Sequence, residues 1–443
     1  MNTSAHALDV FSVSGMWVFY LLAALVLWQS IVSLVGGWRY LAYVRRELNA
    51  KRSLFMPHAS VIVPCRGLEQ GLRWNIGALF NQHYPRYEII FVLDRADDPA
   101  LGVIREMSQE FAERTVATMR VVVAGRARDC GQKVHNLRAG VGEADASSEV
   151  FVFVDTDARP RPDWLRSLVA PLGDERIGAA TGYRWFAPAY GGLASHLRSV
   201  WNASIASALG PRADRNFCWG GSTAIRRRTF AELDMLDEWR GTLSDDFALT
   251  RALQRRKLPI YFVPNCLTGS HEDCNFRELV EFTTRQLKIT RVYAPHLWAI
   301  VLVSNLLWSS VFYGGLALAA TRAALGLSFE WVLALVAAIY MLGIWKAFFR
   351  LCAVALPLEH LHGQLRAGAS FHLFGWPLTS LLYVYNALAA ALSRRLTWRG
   401  ITYELKSPKE TVIISGISPD EATNDATTTT AAELPKEQTR HVS

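Results

Sequence analysis

The segment FVFVDTDARP at 151–160 contains the residues whose chemistry is clearest from type and spacing. Asp155 and Asp157 follow an apolar run typical of a buried strand, which places both carboxylates at the strand's end. Mg²⁺ and Mn²⁺ prefer oxygen ligands and often share them with substrate phosphates. The pair therefore predicts a divalent-cation site facing a diphosphate; the alternative is a solvated turn with a helix cap.

A second acidic group follows another apolar run, in YEIIFVLDRADDPA at 87–100. Asp94 and Asp98 could accept hydrogen bonds from a nucleobase N–H or from ribose hydroxyls. Asp98 could equally cap a helix that starts near Pro99, because proline suits the first turn of a helix. Both interpretations are compatible with the sequence.

Two further segments contain residues suited to hold an anion. Lys133, in CGQKVHNLRAG at 130–140, precedes a predicted helix whose N-terminus would also favour a diphosphate. Gly220 and Gly221, in CWGGSTAIRRR at 218–228, permit close approach of the backbone to a ligand, or a tight turn. An exposed loop lysine is the alternative for Lys133.

Asp245 and Asp246 open an amphipathic helix in LSDDFALTRALQRRK at 243–257. Capping explains acids at this position, but one of them could instead be a general base that deprotonates an acceptor hydroxyl. Further on, Arg285 and Lys288 are three residues apart in TRQLKITR at 284–291, roughly on one helix face. They could steady a leaving diphosphate or bind anionic lipid headgroups.

These side chains must be positioned by an α/β domain that we place at 59–291. Short runs rich in Val, Ile and Phe at 60–64, 87–94, 119–125 and 149–155 alternate with helical patterns. Continuous apolar runs of this kind predict central strands of a mostly parallel sheet covered on both faces. Ligands bind beyond the carboxyl ends of such strands, where Asp94 and Asp155 are expected.

The composition predicts a membrane protein. Of the 443 residues, 51% are hydrophobic and 19% charged, which excludes a disordered chain and argues against an ordinary soluble enzyme. The net charge of +8 in so apolar a chain favours anionic lipid or a small anionic substrate over nucleic acid.

Four segments are predicted to meet the bilayer, and the rest of the chain is assigned around them. After a short segment at 1–13, the uncharged stretch 14–37 predicts a membrane anchor, and the basic linker 38–58 places the α/β domain in the cytoplasm. A C-terminal region predicts three more segments, at 297–321, 331–349 and 371–393. Three crossings after a cytoplasmic domain would place the basic-aromatic segment at 394–406 outside, although its positive charge favours the cytoplasm. We therefore expect the region around 331–358, with Lys346, to be re-entrant or interfacial. Residues 407–443 are predicted to be disordered.

Taken together, the motifs resemble those of membrane-bound inverting glycosyltransferases of the GT-A, family 2 type. More narrowly, they resemble the ceramide glucosyltransferase group and its bacterial relatives. The resemblance spans residues 17 to about 405 and rests on DRADDPA (94–100), GQKVHNL (131–137), VDTDARP (154–160), CWGGST (218–223), SDDFAL (244–249), RQLKI (285–289) and TWRGITYEL (397–405).

The resemblance implies a Rossmann-like GT-A domain and a role for each matching residue. The implied roles are nucleotide binding for Asp94 and Asp98, diphosphate binding for Lys133, cation binding for Asp155 and Asp157, and general base for Asp246 beside Asp245. The group has a Q/R-x-x-R-W motif where this chain has Arg285 to Ile289, so Lys288 replaces Arg and Ile289 replaces Trp. That retains the charge but loses a planar fork and an aromatic platform.

The implied activity is transfer of a sugar, glucose from UDP-glucose, to the hydroxyl of a membrane lipid such as ceramide at the cytoplasmic face. A divalent cation and the bilayer would take part, and Trp398 would be an interfacial anchor. The expected location is the inner membrane of a bacterium, or the Golgi or endoplasmic reticulum of a eukaryote. Open alternatives are a polyprenyl phosphate, diacylglycerol, hopanoid or polysaccharide acceptor, and a non-catalytic scaffold with a degenerate nucleotide site. The oligomeric state is left open.

Overall fold

The computed structural model of the protein describes residues 2–416, with side chains from residue 16 onward. Its centre is a seven-stranded sheet made of β1 (Ala59–Cys65), β2 (Tyr87–Leu93), β3 (Thr118–Val123), β4 (Val150–Phe153), β5 (Ala179–Phe186), β6 (Thr223–Arg226) and β7 (Ile260–Ser270). The strand order is β3-β2-β1-β4-β6-β5-β7. Only β6 is antiparallel to its neighbours, so the predicted mostly parallel sheet is confirmed.

Helices cover both faces of this sheet, which is why its central strands are apolar along their whole length. Every residue of β2 is buried, as expected for a strand packed on two sides. The helices are α2 (Leu72–Phe80), α3 (Ala100–Phe111), α4 (Gln132–Gly142), α5 (Trp164–Val169), α6 (Leu193–Ala206), α7 (Arg227–Glu232), α8 (Met235–Glu238), α9 (Asp245–Arg255) and α10 (Phe276–Tyr293).

Three helices of the described chain are long and apolar enough to cross a membrane. They are α1 (Asn2–Asn49) from residue 16 onward, α11 (Pro295–Ala324) and α12 (Glu330–Ala355). The segment expected to be a linker from residue 38 instead continues α1 as far as Asn49. Its residues Tyr40, Tyr43 and Val44 are buried against the α/β domain, and the Tyr43 hydroxyl donates to the Phe262 carbonyl at 2.7 Å.

The third predicted C-terminal span, 371–393, stays a prediction. This region belongs to two helices, α13 (His362–Phe374) and α14 (Trp376–Leu392), which are interrupted at Gly375. With 17 residues α14 is about 26 Å long, shorter than the hydrocarbon core. Its buried Asn386 accepts hydrogen bonds from Thr283 and Thr284 of α10, so this helix packs on protein along a polar face.

The region expected to be re-entrant or interfacial, around 331–358, contains α12, which by length and composition is one of the apolar candidate spans. Beyond α14, the chain forms an antiparallel sheet of β8 (Arg395–Trp398), β9 (Ile401–Ser407) and β10 (Glu410–Ser415). Its residues Leu396 and Tyr403 pack with Leu243 and Tyr293 of the α/β domain. If α11 and α12 both cross, the two domains lie on one side of the membrane, which removes the odd number of crossings.

Strand β10 also shows that order extends past residue 407, where the sequence predicts a disordered tail. The β-branched residues of this strand, Thr411 to Ile414, favour extended structure, and Thr411 is buried. The remainder of that prediction, 417–443, lies outside the described residues.

Candidate active site

A cavity of about 530 Å³ opens at the carboxyl ends of β1 and β4. Its wall also includes parts of α4, α10 and the β8–β9 hairpin. The charged side chains and the aromatic residues that face it are Arg66, Glu69, Lys133, Asp155, Asp157, Arg184, Arg198, Glu272, Asp273, Glu278, Glu281, Phe282, Arg285, Trp398, Arg399 and Tyr403. A cavity at this edge is the expected place for a ligand of a parallel sheet.

Lys133 brings together three segments that are far apart in the sequence. Its ammonium Nζ lies 2.7 Å from Asp155 Oδ1 and 3.2 Å from Asp245 Oδ1. Burial by itself would lower the pKa of Lys133, but the carboxylates of Asp155, Asp245 and Asp246 together raise it. Lys133 is therefore a firmly protonated cation beside the predicted cation-binding pair.

The two acids at the start of α9 have different surroundings. The Asp245 side chain is only 6% exposed, and burial raises the pKa of its carboxyl group although Lys133 opposes the shift. Asp246 is half-buried, and its Oδ1 accepts hydrogen bonds from the Ser244 hydroxyl and from the Phe247 N–H. Asp245 thus forms an ion pair with Lys133, while hydrogen bonds from residues at the start of α9 orient the Asp246 side chain.

The glycine pair lies directly against this ion pair. A Cβ atom at Gly220 would be 2.4 Å from Asp245 Oδ2 and 2.6 Å from Lys133 Nζ. A Cβ atom at Gly221 would be 2.2 Å from the ring of Trp219. Gly220 and Gly221 form the tight turn that the sequence gives as one alternative, with the Ser222 N–H donating to the Trp219 carbonyl at 3.0 Å, whereas close approach to a ligand stays a prediction.

Arg184, which the sequence analysis missed, is the partner of the DxD carboxylates. Its Nη1 donates to Asp157 Oδ2 at 2.8 Å, and its Nη2 lies 3.8 Å from Asp155 Oδ2. The guanidinium also lies over the Trp219 ring, 5.0 Å from its centroid. One signal was present, because Arg184 is the only charged residue in the otherwise buried strand β5.

The residues present fit a hard divalent cation. Asp155 and Asp157 both face the cavity with carboxylate oxygens, and Asp157 Oδ1 is buried without a hydrogen-bond partner. Within the described residues, no group of three or more His, Cys, Asp or Glu side chains forms a metal site. The protein would therefore supply two carboxylates, and phosphate oxygens and water would complete the shell.

The acids predicted after β2 do not line the cavity but contact residues of the loop after β1. Asp94 is buried, and its Oδ2 lies 3.5 Å from Nη1 of Arg66, which faces the cavity. Both Asp98 oxygens accept the Gly67 N–H at 3.0 Å, and its Oδ1 accepts the Ala100 N–H at 2.9 Å. Asp98 therefore caps α3 and fixes the loop after β1, as the capping interpretation predicts.

Only one of the two predicted cations on α10 faces the cavity. Arg285 lies between the rings of Phe282 and Trp398, 5.5 Å from each centroid, and burial with repulsion from Arg184 lowers its pKa to about 10. Lys288 is a correction: its Nζ donates to the Arg395 carbonyl at 2.6 Å, and it ties α10 to β8. The adjacent Ile289 is buried in the packing against the C-terminal sheet.

A family profile and a bacterial relative both identify the chain as similar to glycosyltransferases. Residues 18–411 match the profile of glycosyl transferase family 21. The probable glycosyltransferase YdaM of Bacillus subtilis (strain 168) is 28% identical over 182 residues, and the match covers 40% of this chain and 40% of that protein. The family match thus includes the cavity, both C-terminal apolar helices and most of α1.

Two solved structures show weaker similarity. The mannosyltransferase PcManGT from Pyrobaculum calidifontis, in complex with GDP-Man and Mn²⁺, is 16% identical with a TM-score of 0.43, covering 84% of this chain and 98% of that one. Glucosyl-3-phosphoglycerate synthase from Mycobacterium tuberculosis, in complex with Mn²⁺ and UDP-glucose, is 17% identical with a TM-score of 0.35, covering 57% and 82%.

Proposed function

The chain belongs to glycosyl transferase family 21, and from this premise we propose that it transfers glucose from UDP-glucose to the hydroxyl of a membrane lipid such as ceramide. The membership confirms the resemblance to the ceramide glucosyltransferase group. The observation that carries the proposal is the contact of the cavity residue Lys133 with Asp155, which also lines the cavity, and with Asp245, which is buried beside it at the start of α9.

The charges around the cavity support a nucleoside diphosphate sugar as the donor. Lys133, Arg184 and Arg285 all line the cavity, where a diphosphate would meet three cations. Arginine suits this role because its planar fork matches phosphate oxygens. Arg66 also lines the cavity, beside the buried Asp94, and we place the nucleoside near it.

A divalent cation would be held by Asp155 and Asp157, and when bound it would neutralise charge on the leaving diphosphate. Without it, Lys133 and Arg184 neutralise the same carboxylates. Both cations lie where they could turn toward phosphate oxygens while remaining near the acids. This arrangement keeps charge balanced in the buried site before the donor binds.

Asp246 is the proposed general base. Its carboxylate would take the proton from the acceptor hydroxyl as that oxygen attacks the anomeric carbon of the sugar. The bond from this carbon to the diphosphate oxygen breaks on the opposite face, so the configuration inverts and UDP leaves. Lys133 and Arg285 would stabilise the negative charge that develops on the leaving group. Asp246 suits the role better than Asp245, whose carboxylate is paired with Lys133.

The apolar helices α1, α11 and α12 support a lipid acceptor, because they would keep the cavity close to a bilayer. We place the domain at the cytoplasmic face, since Arg39, Arg45 and Arg46 follow the apolar part of α1. A long-chain lipid could then present its hydroxyl without leaving the membrane.

The test uses the purified full chain in nanodiscs, with UDP-glucose, UDP-galactose and GDP-mannose offered with a lipid extract. Mass spectrometry should identify one new glycolipid made from UDP-glucose, with matching UDP release. Asp246→Asn should lower transfer by about 10²-fold or more. Asp214→Asn, which changes an acid that is 75% exposed, should leave transfer unchanged.

Three outcomes would contradict the proposal at different levels. Equal transfer by Asp246→Asn and wild type would remove Asp246 as the base. A product from another donor or on another acceptor would correct the substrate assignment. No transfer from any of the three donors, with no UDP binding, would favour the scaffold alternative.

A further inference from the structure

The hairpin that follows the apolar helices has a rigid tip. Trp398 pairs with Ile401 across the turn, and the two residues between them, Arg399 and Gly400, have φ of 49° and 78°. Two successive residues with positive φ between paired strands are typical of a type I′ hairpin turn. The tip therefore presents its side chains in a defined direction.

That tip forms part of the cavity wall. Trp398, Arg399 and Tyr403 all face the cavity. Arg399 forms an ion pair with Glu69 and donates from Nη1 to the Arg66 carbonyl at 2.6 Å, so it connects the hairpin to the loop after β1. The hairpin thus spans from the β1 loop to α10.

Trp398 is held in place on the α10 side. Its ring is stacked against the Arg285 guanidinium, which Phe282 supports from another direction. Trp398 is half-buried, and it also packs on the cluster formed by Leu243 and Tyr293. Part of the indole therefore remains open to the cavity, and contacts with the protein already fix its position before any ligand binds.

The position of the tip within the cavity indicates which part of a donor it would meet. In the proposed reaction the sugar must lie near Asp246, and the diphosphate near Lys133 and Asp155. The nucleoside then extends away from the acids, toward Arg66 and the loop after β1. Arg399 contacts that loop directly, and the Tyr403 hydroxyl accepts the Gln132 N–H at 3.3 Å at the start of α4.

We propose that the β8–β9 hairpin is part of the nucleotide-binding site, with Trp398 stacking on the base and Arg399 fixing the β1 loop beneath it. This inference rests on the proposed function. Stacking on an indole ring suits any base, so this contact supplies affinity, and selection for uracil would come from hydrogen bonds elsewhere. In this proposal Trp398 contributes to the active site, whereas the sequence suggests an interfacial anchor.

The experiment measures UDP binding to the detergent-solubilised full chain by calorimetry, without any acceptor. Trp398→Leu keeps apolar area but loses the aromatic face, and should raise the Kd for UDP about tenfold or more. Trp398→Phe keeps a ring and should stay within about threefold of wild type. The matched control is Trp331→Leu, because Trp331 is 76% exposed at the start of α12, and its Kd should not change.

A second measurement does not depend on how the variants fold. A UDP analogue with a photoreactive azide on the uracil should label the wild-type peptide at 395–407. An unchanged Kd in a folded Trp398→Leu variant, or labelling confined to other peptides, would overturn the inference. Wild-type protein that binds no UDP would instead refute the proposed function, so the two failures are distinguishable.

Discussion

Arg184 and Lys133 occupy the positions around the DxD carboxylates that a metal site would be expected to keep free. Each carboxylate has an ion-pair partner, at 2.7 Å for Asp155 and 2.8 Å for Asp157. Both acids are largely buried, and an unpaired buried carboxylate is costly. In the proposed reaction, donor and cation binding would therefore compete with existing ion pairs, and among the four DxD oxygens Asp157 Oδ1 is buried without a hydrogen-bond partner.

Arg184→Met tests this exchange. Removing the partner of buried Asp157 should lower the free energy of unfolding by about 3 kcal/mol. Added Mn²⁺ should stabilise the variant more than the wild type, because Asp157 is then free to bind it. Thermal unfolding with and without Mn²⁺ measures both effects. Arg228→Met, at a residue with a side chain 82% exposed, should change neither; an equal Mn²⁺ shift in wild type and Arg184→Met would argue against the exchange.

A pH dependence of stability should follow from Asp245. Burial raises the pKa of its carboxyl group, so the folded protein binds this proton more tightly than the unfolded chain. The stabilising effect is complete below the ordinary carboxyl pKa of about 3.9 and is lost as the pH rises through the raised value. Asp245→Asn should flatten this fall in a series of thermal unfolding curves, whereas Asp214→Asn should keep the wild-type slope.

At the level of elements, the break between α13 and α14 is held by close packing on α12. A Cβ atom at Gly343 would be 2.0 Å from the ring of Trp376, the first residue of α14. The indole of Trp376 also packs against Trp308 and Tyr340. The absence of a side chain at Gly343 therefore lets the α13–α14 pair dock beside the apolar helices.

Gly343→Ala should consequently lower the free energy of unfolding in nanodiscs by about 1–3 kcal/mol, as expected for overpacking. Gly314→Ala is the matched control, because nothing lies within 4 Å of a Cβ atom at this position in α11. Alanine favours a helix over glycine, so the control should be neutral or slightly stabilising. Equal effects of the two substitutions would mean that Trp376 can shift at little cost.

The strands β1, β2 and β4 are predictable from sequence because each is a mostly apolar run bounded by turn residues. Strand β3 was also predicted as a central strand, but it lies at the edge of the sheet and none of its residues is buried. Strand β5 is not predictable in this way, since Gly182 and Arg184 interrupt its pattern, and β7 contains Pro264 and Asn265. The division of the predicted span 371–393 into two helices has a different cause. Hydropathy sums over residues, but it does not register that the polar residues of α14, such as Asn386, meet partners on other helices.

In the site, too, local sequence patterns predict some residues, whereas others depend on tertiary contacts. Asp94 and Asp155 were predicted to lie where the carboxyl ends of the strands meet at one edge of the sheet. Asp155 lines the cavity there, but its contact with Lys133, which also pairs with Asp245, was not predicted. Lys288 was misassigned because helical spacing does not reveal that β8 takes its side chain. Trp398 was missed as a cavity residue because its position depends on packing between segments more than 100 residues apart.

At the scale of the whole molecule, the docking of β8–β10 on the α/β domain predicts the topology. If α11 and α12 both cross, their connection lies on the far side and the C-terminal sheet on the near side. Leu327→Cys, in the exposed α11–α12 connection, and Ser415→Cys, on β10, should react with an impermeant maleimide from opposite faces of sealed vesicles. The unsubstituted protein gives the background from its native cysteines; labelling of both from one face would refute this topology.

The wall formed by Trp398, Arg399 and Tyr403 also has a biosynthetic consequence. A ribosome translates these residues only after it has made α11 and α12, so a nascent polypeptide carries its acids long before the cavity is closed. A product interrupted before β8 would have Lys133 and both aspartate pairs but an open nucleotide side. Completion of the cavity wall is thereby coupled to translation beyond the apolar helices, and in the proposed binding mode an unfinished polypeptide would bind a nucleotide sugar poorly.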